Sequence, residues 1–140
     1  MLNVFVDASA FIAVWKPDDS SHEKALEIVE KLTTLKATPY TSPFVIAESL
    51  NVISRHVSRR VAVLLLGEIR SGRYFVMDPD EDIFGRAENI YKKATSKDLS
   101  YMDCIGFEIM RSLDITWTFS FDTHFKKQGF KRLGVDGWPK

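Results

Sequence analysis

Apolar and polar positions alternate between two periods along this chain. Val4-Phe5-Val6 is a short run of β-formers that ends at Asp7, and it reads as a buried strand. Phe11–Trp15 follows as a short helix that stops before Lys16-Pro17. Ala25, Ile28, Val29, Leu32 and Leu35 recur at helical spacing behind Ser20 and Glu23, which match a capping box. Thr38–Thr41 reads as a short strand. Ser42-Pro43 reads as a helix start, a hydroxyl cap followed by proline at the first helical position. Ile46, Leu50, Ile53 and Val57 form one stripe of that helix, and Ser58 opens another that stops at Gly72. Arg73–Met77 predicts a strand and Asp78-Pro79 a turn. Ile83, Ala87, Ile90, Tyr91 and Ala94 then make a helical face, and Ser100 caps a helix with Ile105, Ile109 and Leu113 on one side. Ile115–Phe121 is β-rich and ends at Asp122, and Phe130–Leu133 predicts a last short strand.

Strands alternating with helices imply βαβ units, hence an α/β fold with a mostly parallel sheet covered on both faces. In such sheets ligands bind beyond the carboxyl ends of the strands. The chain has 140 residues and no repeat or linker, so residues 1–140 read as one domain. Its 45% hydrophobic content exceeds what disordered chains carry. Cys104 is the only cysteine, which excludes an internal disulfide scaffold and a thiolate-rich zinc site. No apolar run exceeds six residues, against the ~20 that span a bilayer. Met1–Trp15 has no Lys or Arg and contains Asp7, so it makes a poor signal peptide; the expected compartment is the cytoplasm.

The formal charge is zero but unevenly spread. Residues 1–54 carry 4 basic and 7 acidic side chains, and residues 55–97 carry 9 and 6. This excludes a globally basic nucleic-acid binder and leaves room for a local basic rim.

Two acids stand at strand ends, Asp7 and Asp122, and parallel strands put both at one edge of the sheet. Glu48 lies in the Ser42 helix and Asp103 in the first turn of the Ser100 helix, near the positive end of its dipole. Four carboxylates gathered in one cleft repel unless a cation cancels them, and an all-oxygen ligand set suits Mg²⁺ or Mn²⁺. Such an ion activates water and stabilises charge on a phosphoryl group, which points to phosphodiester hydrolysis. Each acid also has an ordinary explanation. Asp7 fits a turn or helix cap, Glu48 a solvated helix residue, Asp103 the partner of Ser100 in a capping pattern, and Asp122 an N-cap before Thr123. Spacing alone does not choose.

Four segments carry a resemblance. Val4-Phe5-Val6-Asp7-Ala8-Ser9-Ala10, then Ser42-Pro43 with Ala47-Glu48 and Asn51, then Leu99–Asp103, then Thr118–Asp122 with Phe125 resemble the PIN domain in order and spacing, over essentially the whole chain. The likeness is strongest to VapC-type toxins of toxin–antitoxin pairs. It implies a three-layer α/β/α fold and a metal-dependent endoribonuclease using Mg²⁺ or Mn²⁺. Asp7, Glu48, Asp103 and Asp122 would be the acidic metal-binding set, and Ser9 and Ser120 the hydroxyls beside them. It also implies RNA as substrate, a small antitoxin partner and a homodimer. A non-catalytic RNA- or protein-binding module on the same fold is the rival reading. A phosphatase of the haloacid dehalogenase type needs a second acid two residues after the first, where this chain has Ser9.

Other signals add less. Asp78, Asp80, Glu81 and Asp82 fit a capped helix start. His22, His56 and His124 show no paired ligand spacing. Arg55, Arg59, Arg60, Arg70 and Arg73, with Lys126, Lys127, Lys131 and Arg132, are candidate grips for an RNA backbone. Trp15, Tyr40 and Tyr101 are candidate base-stacking rings. Val61–Leu66 is apolar around a whole helix, which suggests burial against a second copy.

Overall fold

A computed structural model describes all residues, 1–140. Five parallel strands form one sheet: β1 (Asn3–Val6), β2 (Thr38–Thr41), β3 (Phe75–Val76), β4 (Trp117–Phe119) and β5 (Lys131–Arg132), in the order β3-β2-β1-β4-β5. The connecting helices are α1 (Ala8–Trp15), α2 (His22–Thr34), α3 (Pro43–His56), α4 (Arg59–Ile69), α5 (Glu81–Lys93), α6 (Tyr101–Ser112) and α7 (Thr123–Lys127). The expected α/β architecture is therefore present, with a sheet that is wholly parallel. No helix is long and apolar enough to cross a membrane.

β1 is central, so both its faces are covered. Val4, Phe5 and Val6 are buried, as a near-continuous apolar strand requires. On one face, Val4 and Val6 share an apolar groove with Val29 and Leu32 of α2. On the other, the Phe5 ring meets α6 at Gly106, where a Cβ would stand 3.1 Å from the ring. Glycine there lets the helix approach the sheet closely. Phe107 and Phe125 pack edge-on beside it, ring centroids 4.9 Å apart.

Local chemistry explains the helix starts. Ser42, Ser58, Asp80 and Ser100 each accept the expected amide at an N-terminus, and Pro43 occupies the first turn of α3. The Ser20–Glu23 capping box does not form. α2 starts at His22, after Ser21, and has no side-chain cap; Asp19 Oδ1 accepts the Ser21 amide at 2.8 Å. β3 and β4 are shorter than their β-rich segments, since only Phe75–Val76 and Trp117–Phe119 meet a neighbouring strand in register. The apolar helix over 61–66 buries Ala62 and Leu65 but leaves Val63 and Leu64 58% and 56% exposed.

Candidate metal centre

Asp7 follows β1 at the carboxyl edge of the sheet, and its amide continues the ladder by donating to Phe119 O at 3.1 Å. It occupies the N-cap position of α1, yet its side chain does not cap that helix. Instead Ser9 Oγ and Ser120 Oγ each donate to Asp7 Oδ2 at 2.9 Å. The two hydroxyls lie 3.2 Å apart. They also hold the loop after β4, with the Phe121 amide donating to Ser9 Oγ and the Asp122 amide to Ser120 Oγ, both at 3.0 Å. Both hydroxyls are therefore in contact with the Asp7 carboxylate.

Asp103 and Asp122 reach the same place from two helix starts. Asp103 sits in the first turn of α6 and forms a full capping box, its Oδ2 accepting the Ser100 amide at 3.1 Å while Ser100 Oγ accepts the Asp103 amide at 3.0 Å. Asp122 caps α7, its Oδ1 accepting the His124 amide at 2.8 Å. A carboxylate has two oxygens. On Asp103 and on Asp122, one is thus committed to the helix start and the second is available to a ligand.

The three acids come together. One carboxylate oxygen from each of Asp7, Asp103 and Asp122 lies within 4.8 Å of the others. Asp7 and Asp103 are buried. Burial, followed by the charges of Asp7 and Asp122, pushes the Asp103 carboxyl up to about 7. Burial also raises Asp7 above the ordinary carboxylate range, against the lowering effect of its two hydroxyl donors.

The fourth acid is not within that 4.8 Å group. Glu48 is exposed on α3, beside the exposed Phe44, Ala47 and Asn51, while Val45, Ile46, Ser49 and Ile53 face the core. Of the four expected acids, three bring oxygens within 4.8 Å of one another, and Glu48 stands outside that group. The helix turns its apolar stripe inward, and Glu48 rides on the solvent side of that stripe.

The basic candidates scatter. Arg55 and Arg59, with Asn51 and Ser54, line a cavity of about 410 Å³ between α3 and α4, and Arg59 Nε donates to Ser54 Oγ at 2.9 Å. Arg60, Lys126 and Lys127 are exposed. Arg132 is not a free cation. It is buried in a two-pronged pair with Asp136, at 2.9 and 3.0 Å, which corrects its reading as an RNA grip. Among the candidate stacking rings, Tyr101 donates its hydroxyl to Glu88 at 2.7 Å, and Tyr40 stacks on Phe75. Sequence reasoning missed Glu108, which is buried and pairs with Arg86 at 3.0 Å and with Arg111. Its signal was an acid flanked by Phe107 and Ile109 in an apolar helix.

The donor set is oxygen-only, partly buried and mutually repelling. Those features fit a hard divalent cation, which would relieve the repulsion that burial intensifies.

Comparison with known proteins agrees with this geometry. No curated protein matches the chain in sequence. Among solved structures it is similar to the Mycobacterium tuberculosis VapC20 toxin, described as cleaving the sarcin–ricin loop, with TM-score 0.81 and 25% identity over 97% of this chain and 99% of that one. It shares its fold with Neisseria gonorrhoeae FitAcB (TM-score 0.63, 14% identity, 94% and 96% covered). The same holds for Rickettsia felis VapBC2 bound to promoter DNA (TM-score 0.65, 14% identity, 99% and 100% covered). The model of the PIN domain matches residues 4–131. With the parallel sheet, the acids at its carboxyl edge and a family match over nearly its whole length, this chain belongs to the PIN domain family.

Proposed function

We propose that this chain is a Mg²⁺- or Mn²⁺-dependent endoribonuclease, the toxin of a toxin–antitoxin pair. The observation that carries the reading is the convergence of Asp7, Asp103 and Asp122 oxygens within 4.8 Å, at the sheet edge where α/β folds bind ligands. Likeness to a toxin that cleaves an RNA loop supports the substrate class.

In this reading Asp7, Asp103 and Asp122 hold the cation. When bound, it supplies Lewis acidity toward a phosphodiester and compensates charge that develops there. The chain's own groups prepare the site. Ser9 and Ser120 fix the Asp7 carboxylate, and through the Phe121 and Asp122 amides they hold the loop that delivers the third acid. Asp103, pushed up to about 7, binds a proton near neutral pH and gives it up when a cation takes the proton's place. Arg55, Arg59 and Arg60 with Lys126 and Lys127 would contact RNA phosphates, giving grip without sequence choice. An antitoxin and a second copy of the chain are the proposed protein partners, and the exposed Val57, Val63 and Leu64 offer apolar surface for such contacts.

The test is incubation of a single-stranded RNA and of a sarcin–ricin-type stem–loop with purified protein and Mn²⁺. The reading expects cleavage that EDTA stops and that Asp7→Asn abolishes. Cleavage that survives Asp7→Asn would refute the assignment, and no cleavage of any RNA would favour a non-catalytic module.

A further inference from the structure

The loop Ser120–Phe121–Asp122 delivers one of the three acids, and its backbone is held from two sides. Two amides are taken by the serine hydroxyls, as described. The carbonyl of Phe121 belongs to the peptide that carries the Asp122 amide, and it accepts from Arg132 Nη1 at 3.4 Å. That distance makes the bond individually weak. Its importance is geometric, because the guanidinium cannot drift. Arg132 is buried on β5, and its Nε and Nη2 donate to Asp136 Oδ2 and Oδ1 at 2.9 and 3.0 Å. Asp136 Oδ2 also accepts the backbone amide of Arg132 at 2.9 Å. Behind this, β5 is anchored to β4 by Leu133 N donating to Thr118 O at 2.9 Å. A planar fork held along one edge by both oxygens of Asp136 thus presents its remaining nitrogen to the peptide that aims Asp122.

We propose that Arg132, clamped by Asp136, is a positioning residue that holds the Asp122 carboxylate in register with Asp7 and Asp103. The inference rests on the proposal that those three acids bind a divalent cation. Groups that orient metal ligands typically change metal affinity by about 10–100-fold when removed. Deleting one half of a buried ion pair strands the other charge, whereas removing both charges together is often neutral for stability. Arg132→Met combined with Asp136→Asn therefore removes the tether, and the amide oxygen at position 136 still accepts the backbone N–H of residue 132. Arg132→Lys is a second variant that retains a charge opposite Asp136 and loses the fork. Glu108→Gln is the control, a perturbed buried pair that does not contact the loop.

The readouts are Mn²⁺ affinity by electron paramagnetic resonance of free Mn²⁺, and the unfolding midpoint of each variant. The double variant and Arg132→Lys are expected to weaken Mn²⁺ binding about 10-fold or more while remaining folded at the assay temperature. Glu108→Gln is expected to lower the midpoint and leave Mn²⁺ affinity unchanged. Wild-type affinity in either folded Arg132 variant overturns the proposal, as does an equal loss of affinity in Glu108→Gln. A wild-type chain that binds no Mn²⁺ overturns the cation reading itself, a result distinguishable from failure of the tether alone.

Discussion

Asp103→Asn should stabilise the metal-free protein while destroying its metal site. Asp103 is buried, close to Asp7 and Asp122, and its carboxyl is pushed up to about 7 from an ordinary 3.8, by burial first and by its acidic neighbours second. A raised carboxyl means that the folded chain binds more protons than the unfolded chain between about pH 4 and 7. Stability of the metal-free protein therefore falls as pH rises through that window, and the full cost is present above it. Taken alone, a rise of that size corresponds to ~4 kcal/mol at about 1.4 kcal/mol per tenfold. Burial, the first cause, is only partly relieved because an asparagine amide is itself costly to bury, and the repulsion is shared among three groups, so removing the charge should return about 2 kcal/mol. An asparagine oxygen can still accept the Ser100 amide, so the helix start survives. In urea melts with EDTA, Asp103→Asn should exceed wild type by about 2 kcal/mol at pH 8 and match it near pH 4. The wild type should lose stability across the same interval. A variant that is destabilised at pH 8, or a wild type whose stability is flat from pH 4.5 to 7.5, would refute the reasoning.

Further consequences involve the same residues. Ser120→Ala removes the hydroxyl shared by Asp7 and the Asp122 amide; it should cost about 1–3 kcal/mol by urea melt and weaken Mn²⁺ binding at pH 7. Gly106→Val would drive a side chain into the Phe5 ring, 3.1 Å from the position of a Cβ; a loss of about 1–3 kcal/mol is expected by thermal unfolding. Mn²⁺ binding should release protons near pH 6 and progressively fewer above pH 7, as Asp103 becomes ionised beforehand; calorimetry in two buffers of different ionisation heat measures this directly.

Much of this architecture is legible in the residues themselves. The strand end at Asp7 follows from a short β-rich run stopping at an acid, Asp122 lies three residues past the end of β4, and the hydroxyl caps at Ser42, Ser58 and Ser100 are local chemistry that tertiary structure did not override. Asp103 carries both meanings at once, because the capping box at the start of α6 also brings its carboxylate close to Asp7. Glu48 was less legible. Its spacing along α3 identifies a helix face, but only the packing of Ile46, Ser49 and Ile53 decides where that face points. Arg132 misled for a related reason. In sequence it is one cation beside Lys131, and its partner Asp136 is recognisable only once the turn after β5 folds back. Ser20 and Glu23 show the local limit: a one-residue shift of the start of α2, with Asp19 capturing the Ser21 amide, empties a capping pattern.

Diffraction from crystals grown with Mn²⁺, recorded at the manganese absorption edge, would locate the cation itself. An anomalous peak is expected with an oxygen from each of Asp7, Asp103 and Asp122 within ~2.5 Å. Manganese bound elsewhere on the chain, with those three carboxylates empty, would contradict the three-acid metal centre.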